Sequence, residues 1–163
     1  MKKNKFSKNW IIKQKRDLYV KKSKLEGYRS RAVYKLQEIN EKFKIIKKNT
    51  LVVDLGAAPG SWSQYISRNF SNSKIISIDL KDIEPIKNLI HIKGDFTEEQ
   101  QKKNIKNYFG KKVDLIVSDM AVNTTGNKSV DSLVTGELCI EACLLYTSPS
   151  PRDLSTSRMP SSA

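Results

Sequence analysis

The hydrophobic residues before position 50 recur with a helical period. Four of them share one face of a helix, at offsets of 0, 4, 7 and 11: Ala32, Leu36, Ile39 and Phe43. An earlier helix is expected over residues 8–24, and Gly27 ends it. Ser30 is predicted to cap the second helix, because its hydroxyl can accept a hydrogen bond from a free backbone N–H.

From residue 51 onward, short apolar runs alternate with polar segments that favour helix. Four runs are predicted as strands: Leu51–Leu55, Lys74–Asp79, Leu89–Ile92 and Val113–Asp119. The helices between and after them are expected to start at Ser61, Thr97 and Asp131. Apolar strands that alternate with helices are typical of a parallel sheet covered on both faces, so the chain is predicted to be an α/β protein.

A thin loop joins the first strand to the first crossover helix. It reads G-A-A-P-G over residues 56–60, and Gly56 and Gly60 allow close approaches that a side chain would block. Pro59 is expected in the first helical turn, because its φ is already helical. In open α/β sheets, a strand, a thin loop and a helix in this order bind nucleotide-like ligands.

The positive charge of the chain is confined to its first third. Residues 1–50 hold 17 Lys and Arg against 4 Asp and Glu, whereas the remaining residues hold 13 of each sign. The first segment therefore accounts for the whole net charge of +13. A solvated lysine-rich tail is one explanation, but confinement to one end favours a surface that binds nucleic acid. Charge alone leaves RNA and DNA open.

Aspartates follow three of the predicted strands. Asp79 comes 23 residues after Gly56, near the offset at which an acid reaches the ribose hydroxyls of a bound nucleoside. Asp95 follows the third strand, where a carboxylate could accept a hydrogen bond from an adenine amino group. Asp119 ends the fourth strand, beside the glycine loop in the usual strand order. Any one of them could be a solvated turn residue, but together they favour a ligand crevice.

The glycine loop does not have the groups that bind phosphate. A dinucleotide-binding loop has three glycines that bring a pyrophosphate onto a helix N-terminus, whereas Pro59 removes an N–H donor here. The Lys-Ser/Thr pair of nucleoside triphosphatases does not follow Gly60 either. S-adenosylmethionine, an adenosine with a small zwitterion and no phosphate, is the ligand that fits.

Four segments resemble those of the FtsJ/RrmJ (RlmE) family of ribosomal RNA ribose 2′-O-methyltransferases. They read R-S-R-A-V-Y-K-L-Q-E-I at 29–39, V-D-L-G-A-A-P-G-S-W-S-Q-Y at 53–65, G-D-F at 94–96 and S-D-M-A-V-N at 118–123. The resemblance covers about residues 8–143, with Val122 where the family usually has proline. It implies a Rossmann-like S-adenosylmethionine-dependent methyltransferase sheet, of which about four of the seven strands are present.

The resemblance also implies roles for individual residues. Those expected to contact the cofactor are Gly60, Trp62, Asp79, Asp95 and Asp119. Lys35 and Asp119 match the first two members of the family's Lys-Asp-Lys-Glu catalytic set. Methyl transfer to a 2′-OH is an in-line displacement in which the hydroxyl proton must leave, so a lysine with a lowered pKa suits the reaction. The periodicity alone places Lys35 at the border of an apolar stripe, where most lysines only cover apolar surface.

The other two members of the set have no counterpart in these 163 residues. The second lysine is expected after Glu141, on a strand of the type G-G-x-F-V-V-K, and the glutamate later still. From Leu144 the composition changes to a Ser- and Pro-rich segment that also resembles translated sequencing-adapter DNA. The expectation is a C-terminally truncated domain with a non-native tail, which would be inactive and poorly stable.

Three parts of the chain are therefore predicted. They are a basic helical RNA-binding segment at 1–48, a partial methyltransferase domain at 49–143 and a disordered tail at 144–163. Cys139 and Cys143 lie four apart in a helical stretch, far from His91, so core packing is favoured over a metal site.

The predicted reaction is methyl transfer from S-adenosylmethionine to a ribose 2′-OH of large-subunit ribosomal RNA, in ribosome maturation. The target is expected to be a uridine of the A loop, in free RNA or in the assembled large ribosomal subunit. A cytoplasmic protein away from membranes is expected, because the chain has no run of 18 apolar residues and its N-terminus is Lys-rich without an apolar signal segment. A monomer is also expected. The alternative is a non-catalytic RNA-binding protein with a relic cofactor site. A nicotinamide oxidoreductase is disfavoured by Pro59 and by the one-ended charge.

Overall fold

The computed structural model describes residues 17–110, 112–120 and 125–147. Within these residues the chain forms five helices and four strands. In chain order they are α1 (Leu18–Leu25), α2 (Val33–Phe43), β1 (Leu51–Leu55), α3 (Ser61–Asn69), β2 (Lys74–Asp79), β3 (Leu89–Lys93), α4 (Glu99–Phe109), β4 (Leu115–Ser118) and α5 (Lys128–Thr147).

The four strands form one parallel sheet in the order β3-β2-β1-β4. In this register Val53 of β1 lies opposite Ile76 of β2 on one side and Ile116 of β4 on the other. All five residues of β1 are buried. Because the strands are parallel, the loops that follow them lie at one edge of the sheet. The predicted α/β, Rossmann-like class is confirmed.

Each face of the sheet is covered by a pair of helices. On one face α2 and α3 pack against the sheet in a cluster that includes Leu36, Ile66 and Val52. On the other face α4 and α5 do so in a cluster that includes Ile105, Leu145 and Val53. Val52 and Val53 point to opposite faces because side chains alternate along a strand. The described part of the basic N-terminal segment thus shares a core with the sheet.

The prediction of one helix over residues 8–24 is wrong at Asp17, because α1 starts at Leu18 with Asp17 as its extended N-cap residue. Residues 8–16 lie outside the described residues. Helix α1 ends before Gly27, whose φ is +68°, so the predicted break is confirmed. The predicted cap at Ser30 is wrong, because α2 begins at Val33 with Ala32 as its N-cap residue. The Ser30 hydroxyl instead accepts a hydrogen bond from Ala32 N at 3.3 Å, in the turn before the helix.

The buried face of α2 differs from the predicted stripe. Leu36 is buried as expected, but Ile39 is 40% exposed and Phe43 is 61% exposed. Asn40 is buried in their place, and its Oδ1 accepts a hydrogen bond from Ile46 N at 2.9 Å. A hydrophobic pattern misses such a position, because a polar side chain can be buried when it is hydrogen-bonded.

The predicted start of α3 at Ser61 is confirmed, but Gly60 is its N-cap residue, so Pro59 precedes the helix and does not lie in its first turn. The predicted starts of the other two helices are wrong. Helix α4 begins at Glu99, two residues after Thr97, with Glu98 as its N-cap residue. At α5, Asn127 Oδ1 accepts a hydrogen bond from Ser129 N at 3.1 Å and thus caps the helix. Asp131 lies in the first turn, and its Oδ1 accepts from the Thr125 N and Oγ1 atoms at 2.7 and 2.8 Å.

Helix α5 continues past the predicted boundary after Cys143. It runs to Thr147, so disorder is not found for residues 144–147, whereas residues 148–163 lie outside the described residues. Cys139 and Cys143 are exposed, which corrects the prediction that they pack in the core. The residues that pack on the sheet stand at the helical spacing beside them: Leu138, Ala142 and Leu145.

Candidate active site

The loop after β1 needs a glycine at position 56, and backbone hydrogen bonds anchor the loop to β2. Gly56 has a φ of +67°, and a Cβ built on it would overlap the side chain of Met120. The backbone N–H groups of Gly56 and Ala57 both donate to the Ile78 carbonyl, at 2.9 and 3.3 Å. The loop therefore lies against the end of β2, with Met120 packed directly on it.

Asp79 ties this loop to the end of β2. Its Oδ2 accepts a hydrogen bond from Ala58 N at 2.9 Å, and its Oδ1 accepts from Lys81 N at 2.8 Å. A carboxylate has about four acceptor sites, so two remain for the hydroxyls of a ligand.

Asp95 occupies the corresponding position after β3. Its Oδ1 accepts hydrogen bonds from the Thr97 N and Oγ1 atoms at 2.9 and 2.7 Å. Both bonds use the same oxygen, so Oδ2 is left as an acceptor. The Gly94 N–H donates to the Asp79 carbonyl at 2.9 Å, which joins the ends of β2 and β3.

A cavity of about 370 Å³ lies between these loops and β4. Three carboxylates line it, from Asp79, Asp95 and Asp119, and its apolar lining includes Ile78, Phe96, Met120 and Leu138. None of the described residues that line it is a lysine or arginine. The volume is in the usual range for small-molecule sites. Its charge disfavours a phosphate and suits a ligand with hydroxyl and amino donors and a positive charge.

The structure brings together the two residues that match the family's catalytic set. Lys35 Nζ donates to Asp119 Oδ1 at 2.7 Å, although the residues are 84 positions apart in the chain. The Lys35 side chain is 64% exposed and that of Asp119 is 35% exposed. An ion pair this exposed contributes little to stability, so its importance lies in where it holds the two groups.

A groove of about 630 Å³ adjoins this ion pair. Its lining residues come from the α1–α2 region and the loop after β4: Tyr19, Ser30, Arg31, Ala32, Tyr34, Lys35, Glu38 and Asp119. Asp119 lines the groove and also the cavity of about 370 Å³. The two spaces therefore meet at the Lys35–Asp119 pair.

Gly60 and Trp62 are not among the residues that line the cavity. Trp62 is buried, and its Nε1 donates to the Ala32 carbonyl at 2.7 Å, which joins α3 to the start of α2. Gly60 has a φ of +96°, and a Cβ on it would crowd the Arg29 guanidinium. Both residues thus support the loop, and their contact with a cofactor stays a prediction.

Two supporting residues were not singled out in the sequence. Arg29 donates to the carbonyls of Pro59, Glu84 and Pro85 at 2.9–3.1 Å, and thereby links the glycine loop to the loop after β2. Arg29 belongs to the R-S-R segment of the family resemblance, which is the signal that could have identified it.

Asp54 is the second residue that was missed. It is buried in β1, and its Oδ2 accepts hydrogen bonds from the Ser63 N and Oγ atoms at 3.1 and 2.7 Å. Burial raises the pKa of Asp54 to about 7, although the bonds from Ser63 act in the opposite direction. The pair fixes α3 to β1 on either side of the glycine loop. An acid inside an otherwise apolar strand was the available signal.

No cluster of three His, Cys, Asp or Glu residues that could hold a metal ion occurs within residues 17–110, 112–120 and 125–147. The single histidine pairs through Nδ1 with Ser77 Oγ and through Nε2 with the Lys81 carbonyl, at 3.0 and 3.1 Å. Among the same residues, no helix has the length and apolar character needed to cross a membrane.

Relatives of known description match most of the chain. Ribosomal RNA large subunit methyltransferase E from Pelagibacter ubique is 61% identical over 142 residues, which cover 87% of this chain and 70% of that protein. The protein of the same name from Rickettsia akari is 49% identical over 142 residues, which cover 83% of this chain but only 63% of the relative. The chain thus spans about two thirds of the length of these curated relatives.

A solved structure supports the same relationship. The crystal structure of a protein from Plasmodium falciparum, described as a ribosomal RNA methyltransferase, superposes with a TM-score of 0.64 at 39% identity. The match covers 71% of this chain and 69% of that one. The model of the FtsJ-like methyltransferase family matches residues 28–149, which include the glycine loop, the acids after the strands and the Lys35–Asp119 pair. The chain belongs to the FtsJ-like methyltransferase family.

Proposed function

We propose that this chain provides the methyl-donor site and part of the catalytic set of a ribosomal RNA 2′-O-methyltransferase. The single observation that carries the proposal is the position of Asp119, which lines the cavity and the groove and is paired with Lys35. A donor in the cavity and an acceptor in the groove would meet at this pair. The names of the relatives, which describe large-subunit ribosomal RNA methylation, support this assignment.

The cavity fits S-adenosylmethionine in its donor set and its charge. We assign Asp79 to the ribose hydroxyls, Oδ2 of Asp95 to the adenine amino group and Asp119 to the region of the sulfonium. Gly56 lines the cavity, and its missing Cβ makes room for Met120, which lines the same cavity. Gly60 and Trp62 are the further contacts that the family resemblance implies. The cofactor supplies a methyl group activated by the positive sulfur.

Lys35 and Asp119 are assigned to the acceptor ribose. Lys35 is exposed to the groove, so its ammonium can donate a hydrogen bond to the 2′-OH and orient an oxygen lone pair toward the cavity. Asp119 holds Lys35 in this position through the 2.7 Å ion pair. A protonated lysine cannot accept the hydroxyl proton, so a further base is needed. In the family this role suits the second lysine, which has no counterpart in the 163 residues.

The basic N-terminal segment is assigned to the RNA backbone. In the described part of the chain, exposed lysines on α1 lie near the groove, because Tyr19 of the same helix lines it. Several lysines that contact phosphates make binding strongly salt-dependent. Following the family, we place the reaction at a uridine of the A loop, in free RNA or the assembled subunit. A cytoplasmic monomer acting in ribosome maturation is part of the same proposal.

Calorimetric titration of residues 1–163 tests the donor site. We expect saturable binding of S-adenosylmethionine and none of NAD, because three carboxylates line the cavity. Asp79→Asn should weaken binding at least about tenfold through loss of charge-assisted hydrogen bonds. The matched control is Asp82→Asn, since Asp82 is an exposed acid of the same loop that does not line the cavity. Binding of NAD with equal affinity would overturn the donor assignment.

A chimera tests the catalytic assignment. Residues 1–163 alone are expected to bind the donor but not to methylate ribosomal RNA. Residues 1–143 followed by the C-terminal part of the Pelagibacter ubique relative should transfer radioactive methyl groups at a readily measured rate. A chimera that binds donor and RNA without methyl transfer would instead favour the relic, RNA-binding alternative.

A further inference from the structure

The Tyr19 side chain lines the groove that adjoins the Lys35–Asp119 pair, and the proposed chemistry gives it no role. It lies in the first turn of α1, is 51% exposed, and lines the same groove as Lys35 and Asp119. We propose that Tyr19 is a stacking platform for an unpaired RNA base, at the acceptor nucleotide or next to it. This inference rests on the proposed function, because it takes RNA as the molecule that enters the groove.

The ring of Tyr19 packs against a second tyrosine, Tyr34, which lines the same groove. The ring centroids of Tyr19 and Tyr34 are 5.3 Å apart, with the ring planes at 44°. Tyr34 is buried, its hydroxyl donates to Glu26 Oε2 at 2.9 Å, and Lys22 Nζ lies 4.7 Å from its ring centroid. Burial, and then the bond to Glu26, raise the pKa of Tyr34 to about 12, so its hydroxyl remains a donor.

The backbone at Tyr19 is fixed as well. Asp17 is the N-cap residue of α1, and its Oδ1 accepts a hydrogen bond from Tyr19 N at 2.9 Å. The other oxygen of Asp17 pairs with Arg31, which stands two residues before α2. The start of α1 is therefore tied to the start of α2. An aromatic ring in a fixed position gives large contact area at a low cost in conformational entropy.

The charges around the ring favour a base over a phosphate. Arg31 is paired with Asp17 and Lys35 with Asp119, and Glu38 adds a negative charge to the groove wall. By contrast, Lys21 and Lys24 of α1 have no ion pair within the described residues, and both are exposed. Proteins that bind single-stranded RNA combine such lysines on the phosphates with aromatic faces on the bases.

The Lys35–Asp119 pair determines which part of the RNA the ring would contact. The 2′-OH must reach the pair, and the base of the same nucleotide extends from the other side of the ribose. Tyr19 and the pair line one groove, so the stacked base belongs to that nucleotide or to its direct neighbour. Stacking does not depend on base identity, so this contact would position the acceptor without selecting its sequence.

The test uses residues 1–163 and an A-loop hairpin of large-subunit ribosomal RNA that carries 2-aminopurine at an unpaired position. Stacking quenches 2-aminopurine, and fluorescence anisotropy of an end-labelled copy gives the Kd. Tyr19→Ala should raise the Kd roughly 5- to 100-fold and abolish the quenching. Tyr19→Phe should retain both within about twofold, because the phenyl ring stacks equally well. Leu18→Ala is the control at a neighbouring residue that is 78% exposed.

The salt dependence separates stacking from phosphate contacts. Tyr19→Ala should leave the slope of log Kd against log salt unchanged, whereas Lys21→Ala with Lys24→Ala should reduce the slope and keep the quenching. Unchanged Kd and quenching in Tyr19→Ala would overturn the stacking role while RNA binding itself stands. If the wild-type chain binds S-adenosylmethionine but not the hairpin, the RNA assignment falls, and this inference falls with it. Equal donor affinity of all variants checks that they fold.

Discussion

The cavity and the groove share Asp119, but different kinds of contact build them. On the cavity side, buried or backbone partners fix each acid: Asp54 holds Ser63, and Asp79 holds the backbone of Ala58. On the groove side, the defining contact is an ion pair whose lysine is 64% exposed. Changes on the cavity side should therefore alter folding and donor binding together. Changes on the groove side should alter the reaction with little effect on stability.

Asp54→Asn gives the largest expected effect on the free energy of unfolding. The folded-state pKa of about 7 lies above the ordinary value of 3.8, so the folded protein holds a proton that the unfolded chain releases between these pH values. The contribution of Asp54 to the free energy of unfolding therefore falls by about 4 kcal/mol as the pH rises from about 4 to about 7. An asparagine side chain does not titrate, so the variant should gain stability relative to the wild type as pH rises from about 4 to about 7.

Urea unfolding at several pH values measures this difference. Asp82→Asn serves as the control, because Asp82 is 70% exposed and its replacement should give a difference that stays nearly flat with pH. If the difference in the free energy of unfolding between Asp54→Asn and the wild type does not change with pH, Asp54 does not take up a proton on folding.

Gly56→Ala gives the next largest effect. The new Cβ would overlap Met120 at a φ of +67°, so the loop or β4 must move. We expect a loss of about 2–3 kcal/mol in the free energy of unfolding and of most S-adenosylmethionine affinity. Gly136→Ala is the matched control, because Gly136 lies inside α5 with open space around it and should gain up to about 1 kcal/mol. A Gly56→Ala variant that keeps wild-type stability and affinity would refute the close approach of Met120.

Lys35→Met gives the smallest effect on stability and the sharpest test of the comparison. Loss of an exposed ion pair should change the free energy of unfolding by less than about 1 kcal/mol. Donor affinity should stay within about twofold, while methyl transfer by the chimera falls at least about 100-fold. Lys93→Met is the control, because it removes another exposed pair, with Asp82, outside the cavity and the groove. Equal methyl transfer by the two variants would remove Lys35 from the catalytic set.

The parts of the fold that could be predicted are those encoded locally. The short apolar runs predict the four strands. The two glycines predict the loop at residues 56–60, because glycine is favoured where the backbone turns tightly. The acids after the strands could be placed at one edge because all parallel strands end there. The pairing of Lys35 with Asp119 was implied by the family resemblance and not by spacing, since 84 residues separate them.

The wrong or missing predictions concern residues whose burial or hydrogen bonding depends on a partner that is distant in the chain. Asn40 is buried because Ile46 N needs an acceptor, and hydrophobicity does not report this. Cys139 and Cys143 are exposed because α5 packs on the sheet through the residues beside them. Arg29 finds carbonyl partners up to 56 positions away, and nothing in its local sequence indicates them.

The 84-residue separation within the ion pair has a consequence for the newly made protein. Lys35 leaves the ribosome long before Asp119 does, and β1 must wait for β4 to pair on its second side. N-terminal segments fold first during synthesis, so the glycine loop and the first two strands can form while the acceptor side is still incomplete. The groove needs no residue later than Asp119, whereas Met120 and Leu138 also line the cavity, so the nascent chain should complete the acceptor groove before the donor cavity.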